Sequence, residues 1–192
     1  VVDIVIAGWR RRSAEGGGTD QMISLLLLAG AVAGVSDIDV VANSKAGMKL
    51  CSNPDVATKT CSTIASYTAA EDGSFVETGE VLLAPDQPIT LQTSIPVTID
   101  GGSICGQLTD AALEGAKVRV GGALLPPDRH AMALKSLIAK LKPLVGKKTC
   151  DGLRMEGGRL MKYGQVERVD VNLPGKPVIW IAADSGYRVA PR

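Results

Sequence analysis

An internal echo most constrains what this chain can fold into. Glu71-Asp-Gly-Ser-Phe-Val-Glu-Thr-Gly-Glu-Val81 aligns without gaps on Glu156-Gly-Gly-Arg-Leu-Met-Lys-Tyr-Gly-Gln-Val166. Both copies fit the form E-[DG]-G-x-h-h-x-x-G-[EQ]-V, with h apolar. A second echo follows, Pro85-Asp-Gln-Pro88-Ile against Pro174-Gly-Lys-Pro177-Val. Asp72-Gly73 and Gly157-Gly158 suit hairpin turns, whose central residues need positive φ. Each Pro-x-x-Pro ends one strand and turns the chain into the next, ITLQT or VIWIA. The fold class predicted is α+β: antiparallel β-hairpins packed on one amphipathic helix, in two related halves.

The helix is read at 128–145. Leu134, Leu137, Ile138, Leu141 and Leu144 recur at i, i+3, i+4, the spacing of one buried helical face. Asp128, after Pro126-Pro127, is the expected N-cap, Pro143 distorts the last turn, and Gly146 stops the helix. Lysines gathered towards its C-terminal end read as a solvated face.

Four cysteines, Cys51, Cys61, Cys105 and Cys150, allow three pairings. None lies in a C-x-x-C, so zinc-ribbon and thioredoxin-like readings both lack their spacing. A cysteine precedes each copy of the echo (Cys61, Cys150), with another upstream of it (Cys51, Cys105). If the halves are equivalent, Cys51 pairs with Cys61 and Cys105 with Cys150. Inert structural bridges are the expectation, and such bridges belong to an oxidising compartment.

The same compartment is suggested by MISLLLLAGAVA. Its apolar run is far shorter than the roughly 20 residues of a membrane span and fits a signal-peptide core of roughly 7 to 15. Residues 22–33 are therefore read as a signal peptide cleaved after Ala33. Residues 1–21 are read as a leader or disordered extension, 34–46 as a flexible lead-in and 47–192 as a single domain. The protein is expected to be periplasmic or secreted, with no membrane span in its mature part. A rival reading makes VVDIVIAG a strand, Gly16–Gly18 a phosphate loop, MISLLLLAGAVAG a helix and IDVV a second strand. That would be a cytoplasmic α/β nucleotide-binding protein, though no G-x-G-x-x-G accompanies it.

Function classes narrow by subtraction. A formal net charge of +1 makes no case for a nucleic-acid partner, and 3% aromatics offer few stacking platforms for bases or sugars. Four cysteines and one histidine make a thin ligand inventory, so no metal and no cofactor are expected. No catalytic set stands out. His130 is read as an exposed helix-terminus residue, and its alternative role is general base of an envelope hydrolase. Glu77 and Glu80 should sit on opposite faces of a strand, which argues against a working glycosidase pair. Trp180 is read as core. Tyr187 and Arg188 form an aromatic–arginine pair suited to a binding surface.

The exported start, the spaced cysteines and the ending PVIWIAADSGYRVAP resemble uncharacterised secreted proteins of alphaproteobacteria, of the sphingomonad type. The resemblance implies an envelope or extracellular setting and carries over no functional residue. The expected function is that of an exported, non-catalytic binding or structural module. Its partner class is open, with an envelope protein the nearest candidate.

Overall fold

A computed structural model describes residues 36–167 and 174–191. The expected leader, the signal peptide and the Gly16–Gly18 loop lie outside these residues. The first element is helix α1 (Val40–Lys45). Strands β1 (Met48–Ser52), β2 (Thr60–Cys61), β3 (Thr63–Ala69), β4 (Phe75–Ala84), β5 (Gln87–Asp100) and β6 (Ser103–Gln107) follow. An excursion then holds α2 (Asp110–Glu114), β7 (Lys117–Val120), β8 (Ala123–Leu124) and α3 (Pro127–Leu141). Strands β9 (Lys148–Glu156), β10 (Arg159–Val166), β11 (Lys176–Ala182) and β12 (Arg188–Val189) complete the described chain.

The sheet closes on itself. β4 pairs with β3 along one edge and with β5 along the other. The antiparallel order β1-β3-β4-β5-β6-β9-β10-β11 then returns to β1 through the Leu50↔Trp180 register. Eight strands in chain order make an up-and-down barrel, which leaves no edge among these eight unpaired. The α+β expectation is therefore corrected. Side chains at every second strand position turn inward and bury one another across the barrel. Leu50, Val97, Ile104, Leu153, Leu160 and Val178 form the main cluster without any help from α3. Outward positions of β4 and β5 include Thr78, Glu80, Gln92, Ser94 and Thr98.

Both copies of the echo land on a hairpin turn and the strand after it. Gly73, Gly157 and Gly158 have φ of 82°, 56° and 76°, the left-handed region that side chains disfavour. The Pro-x-x-Pro segments lead into β5 and β11. The bridges are Cys51–Cys61 and Cys105–Cys150, the pairs that equivalent halves suggest.

Residues 34–46 are not a flexible lead-in throughout, because α1 occupies the barrel end where β1 begins. Val40 is fully buried in the main cluster, and Asn43 Nδ2 donates to the carbonyls of Ser36 and Asp39. The IDVV segment of the rival reading is likewise corrected, since Val40 and Val41 are helical rather than a second strand. Asp39 caps α1 by accepting from the Ala42 amide at 2.9 Å. Asp39→Ala should therefore cost about 1 kcal/mol, read as a lowered urea midpoint at unchanged slope.

The 128–145 helix is present as α3, followed by a 3-10 turn at Lys142–Leu144 that contains Pro143. Its N-cap is Pro126 rather than Asp128, with Pro127 at the first helical position, where the missing N–H costs nothing. The helix contributes nothing to the main cluster. Leu134, Leu137, Ile138 and Leu141 pack on Ile89 and Leu91 of β5 and Val118 of β7. Leu91 shares its face of β5 with Ile95 and Val97, so two separate apolar clusters sit along one inward row.

Candidate functional site

Two places gather polar groups. The first is the barrel interior beside the main cluster. The register turns Glu77 of β4, Asp151 of β9 and Lys162 of β10 inward. Lys162 Nζ lies 2.9 Å from Asp151 Oδ2, with side-chain exposures of 13% and 33%. An inward carboxylate one-third exposed means that the interior admits water. Burial pushes the Glu77 carboxyl above its ordinary pKa, with Lys162 pulling it back and Asp151 adding to the rise. Tyr67, opposite Glu77 in the register, has its phenol raised well above the usual value by burial and then by Glu77 and Asp151.

A carboxyl raised in the folded state favours folding most at low pH. That contribution is present in full below the ordinary glutamate pKa and is lost as pH rises through the higher folded value. Glu77→Gln should therefore stabilise the protein at pH 7 and flatten its decline in stability above pH 4, as read from urea melts across pH.

The second place is a groove on the outer wall, enclosing about 520 Å³. Its floor is the outward face of β3, β4 and β5, with Glu80 near the centre. Thr90 Oγ1 donates to Glu80 Oε1 at 2.6 Å, and Arg119 Nη2 donates to Gln92 Oε1 at 3.1 Å. The β7–β8 turn forms one wall, where Gly121 and Gly122 both adopt positive φ. The opposite wall is the segment from Tyr187 to Ala190, with Lys49 of β1 beside it.

That segment is held by the disulfide loop. β12 pairs in parallel with β2, Arg188 opposite Thr60 and Val189 opposite Cys61. Lys59 Nζ donates to the Ser185 carbonyl at 2.9 Å. Tyr187 packs on Cys51, Cys61 and Ile181, so the Cys51–Cys61 bridge underpins one wall of the groove. Tyr187 and Arg188, predicted as a binding surface, are thus joined by Lys49, Glu80, Gln92 and Arg119. These four come from other strands, and only the register between strands shows that they meet.

Other sequence candidates fall elsewhere. Glu77 and Glu80 do take opposite faces, one inside the barrel and one in the groove. His130 sits in the first turn of α3 and is half-buried rather than exposed. Its Nε2 is enclosed, with no hydrogen-bond partner among the described residues. Trp180 is half-buried against the main cluster, its ring edge-on to Tyr67 at 6.4 Å and its Nε1 donating to the Asp37 carbonyl at 2.7 Å. Among the described residues, no helix is long and apolar enough to cross a membrane. Compared with protein-family models, curated proteins and solved structures, the chain matches none.

Proposed function

We propose that this is an exported, non-catalytic binding module, periplasmic or secreted, whose ligand occupies the outer groove. The observation that carries the reading is the groove itself, in which the Tyr187–Arg188 pair meets charged groups from three strands. Its volume falls within the roughly 300–1,000 Å³ range of small-molecule sites. Export is supported by the two disulfides, since such bridges form and persist outside a reducing cytosol. It is supported also by the signal-peptide pattern of residues 22–33 and by the resemblance to secreted alphaproteobacterial proteins.

Fractionation of cells expressing the chain with its natural upstream region tests the export half of this proposal. The expected product lies in the periplasm or medium and begins at Gly34. Product retained in the cytosol with residues 22–33 attached would contradict it.

A further inference from the structure

We infer that the groove takes a small dianion that also carries a hydrogen-bond donor, of the hydroxydicarboxylate type; this rests on the groove being the binding site. Lys49, Arg119 and Arg188 all line it, and Glu80 is the one carboxylate among the described residues lining it. Among the described residues none of the three cations has an ion-pair partner; the ion pairs there are Lys142–Asp110, Arg154–Glu156 and Lys162–Asp151. The lining therefore has a formal surplus of two positive charges. Held in a concavity beside low-dielectric wall, that surplus raises the local concentration of anions.

The cations are also placed differently from one another. Arg119 is tethered through one N–H to Gln92, which leaves a planar guanidinium with four further donors, suited to a carboxylate. Arg188 and Lys49 stand on the far wall. Two anionic groups separated by a short linker fit this division better than one compact anion. Glu80 adds the remaining requirement. Its carboxylate, half satisfied by Thr90, repels a bare anion and accepts from a hydroxyl or ammonium on the linker.

The test is an amide NMR titration of the oxidised protein, as natively produced, with malate, succinate, acetate and putrescine. Malate should give saturable shifts at Gly121, Gly122 and Tyr187, with succinate several-fold weaker and acetate weaker again. Raising ionic strength should weaken malate binding. Arg119→Gln and Arg188→Gln should each weaken it roughly tenfold, the scale of one hydrogen bond to a charged group. Glu80→Gln keeps an acceptor for Thr90, so it should strengthen succinate binding and erase the preference for malate.

Putrescine shifting the groove while malate does not would overturn the dianion inference and leave the binding reading standing. Malate binding that is unaltered in a folded Arg119→Gln/Arg188→Gln variant would overturn it too. If no probe shifts any groove amide, both the inference and the groove as binding site fail.

Discussion

Replacing Cys105 and Cys150 by serine should lower unfolding free energy by about 4 kcal/mol, the loop-closure value for a bridge spanning 45 residues. The location explains why so much rests on it. Cys105 of β6 and Cys150 of β9 are direct register partners, so the bridge lies across neighbouring strands of the barrel wall. Between them the chain leaves the wall for α2, β7, β8 and α3. Without the bridge, β6 and β9 must find each other across that excursion in the unfolded ensemble. The Cys51–Cys61 bridge closes only 10 residues and should contribute about 3 kcal/mol. Urea unfolding of the two double-serine variants checks the order. Its second consequence is local: loss of Cys51–Cys61 should loosen the Tyr187–Ala190 wall and weaken groove binding, whereas loss of Cys105–Cys150 should not.

Lys162→Met is expected to cost about 3 kcal/mol at pH 7, because it strands Asp151 beside Glu77 with no cation between them. The methionine fills the same space, so the loss is electrostatic rather than a cavity effect. Burial holds the Glu77 carboxyl above its ordinary range, so as pH falls it is protonated, one of the two like charges is removed, and the deficit should shrink. Adding Asp151→Asn to the variant should recover much of the stability at pH 7. A deficit that stays constant from pH 3 to pH 7 would place the cost in packing and contradict the account of the interior.

What could be read without coordinates was local. Gly73 and Gly157-Gly158 marked hairpins because positive φ leaves few residue choices, and α3 announced itself by its leucine spacing. Barrel closure was not legible, because it depends on β4 pairing along both edges and on β11 meeting β1. Those are register facts between strands far apart in sequence. The inward row is also broken by Gly79, Glu77, Lys162 and Asp151, so strands with a buried face read as polar on both sides. Half the groove was visible for a related reason. Tyr187 and Arg188 are adjacent in the chain, whereas Lys49, Glu80 and Arg119 reach them only after the wall has closed. Asp39-Val40 read as strand or lead-in because six helical residues are too few to show a period.

We propose that the exported form of this protein is the disulfide-bridged barrel. Intact mass after alkylation of natively produced protein, with and without prior reduction, tests it most directly. The expected result is no alkyl groups on the unreduced protein and four after reduction, one for each cysteine. Four alkyl groups added without reductant would contradict it.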